Sequence, residues 1–218
     1  MKENLYITSD LHYWHINICK LCNRPYTTET LSKMNHDILA EFDKLPAGSI
    51  ILNLGDLYLH SSKTFNQIKY LVDRMKANDK QLWIVLGNHD FANPSCMKGY
   101  QNKTAVELYK ELGFDKVYDR PFIMDNIVFT HEPIRFPEGV KVVHGHIHDK
   151  NMDLSCFDPA FDKIGKEILK LHPELIKKTN KKKGNTNKNK GVNLKYYFNV
   201  CWDKHHRILK YNEILKGL

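Results

Sequence analysis

Leu82-Trp83-Ile84-Val85-Leu86-Gly87-Asn88-His89-Asp90 is a short apolar run that breaks at a glycine and then sets out an amide, an imidazole and a carboxylate. The run is rich in large and β-branched residues, so it reads as a buried strand. Gly87 permits a sharp turn at the strand end. Polar side chains just beyond the carboxyl end of a strand stand where open α/β sheets build their ligand sites. One such stretch alone does not separate a site from a solvated turn. The pattern, however, recurs four more times.

Leu5 to Ser9 reads as the first strand, with Asp10-Leu11-His12 at its end. Leu31, Met34, Ile38, Leu39, Phe42 and Leu45 form one helical stripe, which Pro46-Ala47-Gly48 stops. Ser49 to Leu54 is the second strand and ends in Gly55-Asp56. A second amphipathic helix carries Phe65, Ile68, Leu71, Val72 and Met75 into the strand that ends at Asn88. A third, near Thr104 to Leu112, is closed by Gly113. The alternation of strand and helix predicts an α/β fold. Beyond it, Arg120 to Met124 and Ile127 to Thr130 flank Asp125-Asn126 and predict a hairpin, with His131 after its second strand. Val140 to Val143 is a further strand, followed by His144-Gly145-His146-Ile147-His148. Phe161, Ile164, Ile168 and Leu171 suggest a helix within an insertion at about 151–192. Tyr196 to Val200 reads as a strand, and Ile208 to Leu215 as a strand or a final helix.

The 218 residues fit a single domain, and 42% hydrophobic with 27% charged residues is ordinary for a protein with a real core. No stretch approaches a membrane span, and the N-terminus runs into a strand pattern without a signal-type apolar region, so the expected setting is cytoplasmic. Five scattered cysteines argue against a disulfide framework, and Cys19-x-x-Cys22 is half of a zinc-ribbon signature without its partner. The net charge of +8 is local. Seven lysines and no acidic residue fall within 177–190, and elsewhere 26 basic side chains face 25 acidic ones. That Lys/Asn-rich stretch has a composition that does not order itself.

Asp10, His12, Asp56, Asn88, His131, His146 and His148 are therefore candidate ligands in five places, each at a strand end. Imidazole, carboxylate and amide donors suit divalent transition metals. Seven side chains are too many for one ion and about right for two, which a shared carboxylate would hold roughly 3.5–4 Å apart.

Asp10-x-His12, Gly55-Asp56, Gly87-Asn88-His89-Asp90, Thr130-His131-Glu132-Pro133 and Gly145-His146-x-His148 resemble, in order, the five blocks of the calcineurin-like metallophosphoesterase superfamily. Ser9 to Ile18 followed by Asn23-Arg24-Pro25-Tyr26 is similar to a subgroup of small bacterial and phage phosphoesterases, with Trp14 where a glycine is common. The resemblance implies a four-layer α/β/β/α sandwich with mixed sheets. It implies one metal on Asp10, His12, Asp56 and His148, a second on Asp56, Asn88, His131 and His146, and a bridging Asp56. The metals would be Mn²⁺, Fe, Zn²⁺ or Ni²⁺, and they would acidify a water and align an in-line attack on phosphorus. His89 would be the leaving-group acid. Asp90 would orient that imidazole or cap a helix. His15 and Arg24 are candidates to contact substrate phosphate, with a surface role as the alternative for each. His60 and His144 read as structural or solvated. Leu59 and His60 stand where protein phosphatases carry an acidic residue and an arginine, which argues against that branch.

The reading that follows is a dinuclear phosphoesterase acting on a small phosphate ester, a phosphodiester or nucleotide derivative ahead of a monoester. Two alternatives stay open. One is a nuclease or nucleic-acid end-processing enzyme whose 177–190 lysines hold the backbone. The other is a non-catalytic interaction scaffold on the same fold.

Overall fold

A computed structural model of the chain describes residues 2–59, 62–96, 101–176 and 192–218. His60 and the lysine-rich stretch 177–190 lie outside the described residues.

The first sheet contains β1 (Leu5–Thr8), β2 (Ile50–Asn53), β3 (Gln81–Val85) and β4 (Lys116–Tyr118), all parallel. Antiparallel β9 (Leu209–Lys210) extends it on the β1 edge, giving the order β4-β3-β2-β1-β9. Alternate residues of a strand face opposite sides, and each side here has its own core. Ile51, Leu82 and Ile84 face the helices α2 (Leu31–Asp43), α3 (Ser62–Ala77) and α5 (Ala105–Leu112), whose Ile38, Phe42, Leu71, Val72, Leu108 and Leu112 cover them. Leu52, Trp83 and Val85 face the other way, onto the second sheet. Strands buried on both faces carry the continuous apolar runs seen in the sequence.

The second sheet has the order β5 (Phe122–Met124), β6 (Ile127–Thr130), β7 (Lys141–His144), β8 (Tyr197–Asn199). Only β5 is antiparallel to its neighbour. Asp125 and Asn126 both take positive φ, 56° and 59°, as a two-residue hairpin turn requires. Ile127, Phe129 and Val143 complete the core between the sheets, while Val128 and Val142 face outward beneath Ile168 of α6 (Asp162–Leu171). Helices, sheet, sheet and helix make the mixed α/β/β/α sandwich that the resemblance implies.

The third predicted helix is α5, with a full capping box between Thr104 and Glu107 and Gly113 at φ 105° behind it. The predicted stripe on α6 is only partly realised. Ile168 is buried, Phe161 and Ile164 lie at the rim of a cavity, and Leu171 is 73% exposed. β4 was not evident from sequence because three residues flanked by charge show no period. The same holds for α1 (Ile16–Leu21) and α7 (Trp202–His205), which are too short for a stripe. The terminal segment resolves into both options, β9 followed by α8 (Tyr211–Gly217). No helix among the described residues is long and apolar enough to cross a membrane.

Candidate metal centre

β1, β2 and β3 run in one direction within their sheet, and β6 and β7 do so within theirs, so the loops after them gather along one edge. α4 (Asn88–Cys96) starts there. Asp10, His12, Asp56, His146 and His148 all hold φ between 46° and 70°. The left-handed region costs a non-glycine residue about 1–3 kcal/mol. It is held here by bonds between loops: the amides of Asp10 and His12 donate to the carbonyls of Gly55 (3.0 Å) and Asp56 (3.1 Å), and that of Gly145 to His131 (2.9 Å).

These turns bring the side chains together. Ligand atoms of Asp10, His12 and His148 lie within 4.8 Å of one another, as do those of Asp10, Asp56 and His131, and those of His12, Asp56 and His89. Asp56 Oδ2 is 3.3 Å from His131 Nε2, 3.8 Å from His89 Nε2 and 3.9 Å from His12 Nε2. Asn88 Oδ1 and His146 Nδ1 stand 3.1 and 3.2 Å from His131 Nε2. All seven candidate ligands thus meet in one place, with Asp56 central.

The donor set fits divalent cations. Asp10 Oδ1 and both ring nitrogens of His12 are buried without a hydrogen-bond partner among the described residues, a state that costs roughly 1–3 kcal/mol per group. Burial, opposed by Asp56 and Asp10, lowers His12 to about 3 and so keeps it in the neutral, ligating form. For Asp56, burial would raise the carboxyl, but His131, His12 and His89 outweigh it and hold it ionised. Burial would likewise lower His131, yet Asp56 and Asp10 raise it well above the usual histidine range. Two buried carboxylates demand positive charge. His131 answers with a proton that a divalent cation would displace.

A calcineurin-like phosphoesterase family model matches residues 4–206. The chain belongs to that family. Its members typically bind divalent metals. The uncharacterized protein MJ1445 of Methanocaldococcus jannaschii is 30% identical over 89 residues, which are 40% of this chain and 47% of that protein. This chain therefore spans about half of the relative's length. The crystal structure of AQ665, a protein of unknown function from Aquifex aeolicus, covers 98% of both chains at a TM-score of 0.57 and 18% identity, and shares the fold.

The surrounding residues correct two expectations. Arg24 does not face the cleft. It is buried, donates to both oxygens of Asp203 (2.6 and 2.9 Å), and donates to the carbonyls of Leu11 and Asp10 (2.8 Å each). A guanidinium with its fork consumed internally has nothing left for a phosphate. Asp90 does not orient His89 either. Its Oδ2 accepts the amides of Asp56 (2.7 Å) and Gly87 (2.9 Å), and its Oδ1 accepts the Tyr109 hydroxyl. The capping role is the one realised, from the third residue of α4. His15 lies beside the cluster, its ring 5.6 Å from that of His12 and its buried Nδ1 without a hydrogen-bond partner among the described residues. His144 is buried and donates to the Gly145 carbonyl at 2.9 Å, a structural role.

Sequence reasoning missed Asp203 and Cys201. Asp203 Oδ2 accepts from His148 Nδ1 at 2.7 Å, which leaves Nε2 facing Asp10 Oδ1 at 3.9 Å. Cys201 donates to Asp10 Oδ2 at 3.0 Å. Outer partners that fix a ligand's tautomer are typically worth 10–100-fold in metal affinity. Asp203→Asn is expected to weaken metal binding by about that factor in a metal titration of the folded variant. Unchanged affinity would remove Asp203 from the centre.

Proposed function

We propose that this phosphoesterase hydrolyses a small phosphate ester at a pair of divalent cations. Asp10, His12, Asp56 and His148 would hold one cation, and Asp56, Asn88, His131 and His146 the other. The observation that carries this reading is the position of Asp56. Its Oδ2 lies 3.3–3.9 Å from three imidazoles, beside a His12 ring and an Asp10 oxygen that have no hydrogen-bond partner among the described residues. Cations bound there supply Lewis acidity, withdrawing charge from the phosphoryl oxygens and making water a nucleophile near neutral pH.

The chain's own groups would do the rest. The His89 amide donates to Asp56 Oδ1 at 3.0 Å, which fixes the first turn of α4 against the ligands. The His89 ring is half-exposed at the mouth and stands 5.4 Å from the ring of His12. As an imidazolium it would give its proton to the departing oxygen, sparing the leaving group a full negative charge. His15, on the same side, would donate a hydrogen bond to a phosphoryl oxygen.

His89→Ala should therefore keep its metal and lose roughly 10²–10⁴-fold in kcat with alkyl leaving groups. The loss should be much smaller with p-nitrophenolate, which departs without help. A loss of equal size for both leaving groups would contradict the acid role. The function itself is tested with metal-stripped protein and paired chromogenic mono- and diesters, adding back Mn²⁺, Fe²⁺, Zn²⁺ or Ni²⁺ singly. Hydrolysis should disappear on stripping and return with at least one ion. Activity that survives stripping, or fails with every ion, would refute the reading.

A further inference from the structure

The two ligand sets proposed above are unequal in charge. Asp10 and Asp56 give one set two carboxylates. The other has only its share of Asp56, with the Asn88 amide and the rings of His131 and His146. A partly desolvated divalent cation is costly to hold unless anions face it. The chain places a further carboxylate within reach of this second set. A Glu132 oxygen lies within 4.8 Å of ligand atoms of both His131 and His146.

Glu132 is positioned by the same features that position those ligands. It follows His131 directly at the end of β6. The 2.9 Å bond from the Gly145 amide to the His131 carbonyl ties its loop to the loop that carries His146. Glu132 also lines a cavity of about 430 Å³ whose walls include Asn88 and His131, so its side chain and theirs border the same space. Arg120 borders that space too, but its guanidinium is 79% exposed and pairs with Glu167, at 3.9 Å. Glu132 is half-buried, and no hydrogen bond from another described residue engages its carboxylate. An anion partly withdrawn from water and aimed at two imidazoles has its chemistry unspent.

We propose that Glu132 is a further metal ligand, joining Asp56, Asn88, His131 and His146 on the second cation. The two sets then match in charge, each with one carboxylate of its own and Asp56 shared. This rests on the two-cation reading above and adds a residue to it.

Calorimetric titration of the metal-stripped full chain tests the assignment. Mn²⁺ is the probe, because carboxylate oxygens suit it. The unmodified protein should take up two equivalents. Glu132→Gln keeps the size of the side chain and removes its charge. It should weaken one equivalent at least about tenfold and leave the other within about threefold. A charge acting only across the half-exposed cleft is screened as the Debye length falls from about 10 Å at 0.1 M salt to about 3 Å at 1 M, whereas loss of a bound ligand is not. The tenfold loss should therefore appear at both salt concentrations.

Asp119→Asn is the control. Asp119 is an exposed carboxylate on the same cavity and belongs to no cluster of metal-type ligands among the described residues, so both equivalents should bind it as they bind the parent. Affinity unchanged in Glu132→Gln, a loss that fades at 1 M salt, a loss shared equally by the two equivalents, or an equal loss in Asp119→Asn would overturn the assignment. In each of those cases two equivalents in the unmodified protein would leave the cation pair standing without Glu132. Fewer than two equivalents in the unmodified protein would bring down both.

Discussion

Asp56→Asn should reduce kcat/KM by at least about 10³-fold, which corresponds to roughly 4 kcal/mol of lost transition-state stabilisation. The side chain it replaces is 3% exposed and lies within 3.9 Å of His12, His89 and His131. An amide keeps the shape but removes the negative charge that two cations would share. One Asn oxygen is a weak ligand, and its NH₂ group would point at an ion or an imidazole. The variant should therefore retain at most one equivalent of metal after gel filtration, against two for the unmodified protein. Measuring metal content and kcat/KM on the same sample checks both parts. Two equivalents retained with activity within tenfold of the parent would remove Asp56 from its central role.

The second large effect concerns a residue with no side chain. A Cβ at Gly145 would overlap Ser9 Oγ and stand 2.5 Å from Asp10 Oδ2. Ser9 and Asp10 are fully buried, and Ser9 Oγ donates to the Leu54 carbonyl at 2.8 Å. Neither can step aside, so the backbone after β7 must move. Overpacking of this kind typically costs about 1–3 kcal/mol, and a loss at the upper end would lower Tm by roughly 6–12 °C in a chain of this size. Displacing the loop also breaks the 2.9 Å bond from the His146 amide to Asp10 Oδ2, so metal affinity should fall as well. Gly139→Ala is the control. Gly139 has φ 97° but nothing within 4 Å of its would-be Cβ, so it isolates backbone strain from overlap. Gly145 itself lies outside the positive-φ region, so its loss should come from overlap, and an unchanged melting temperature in Gly145→Ala would refute the close-approach account.

The parts that were legible in the sequence have local causes. β1, β2, β3, β6 and β7 are short apolar runs with chemistry at their ends, and those runs, with glycine breaks after β2, β3 and β7, exposed them. All seven ligand candidates followed from those ends. The rest depends on distant partners. Arg24 meets Asp203 across 179 positions, and Cys201 meets Asp10 across 191, so neither pairing leaves a local trace. An arginine before a turn proline looks the same whether it reaches outward to a phosphate or inward to a carboxylate. The positive φ at five ligand positions was equally hidden, because aspartate and histidine adopt it only when neighbouring loops impose it. Asp90 was ambiguous for a different reason. Its carboxylate stands at the right spacing for a cap, but the Tyr109 hydroxyl that fills its other oxygen comes from α5.

The two sheets supply the proposed ligands in separate sets: Asp10, His12, Asp56 and Asn88 follow strands of the first, and His131, His146 and His148 follow strands of the second. Ions seated among them would rivet one half of the sandwich to the other. Bound at a hundred times their dissociation constant, each would add about 2.7 kcal/mol to the folded state. Chelators would then act on this protein as mild denaturants, and its survival against proteases in a cell would follow the supply of trace metal.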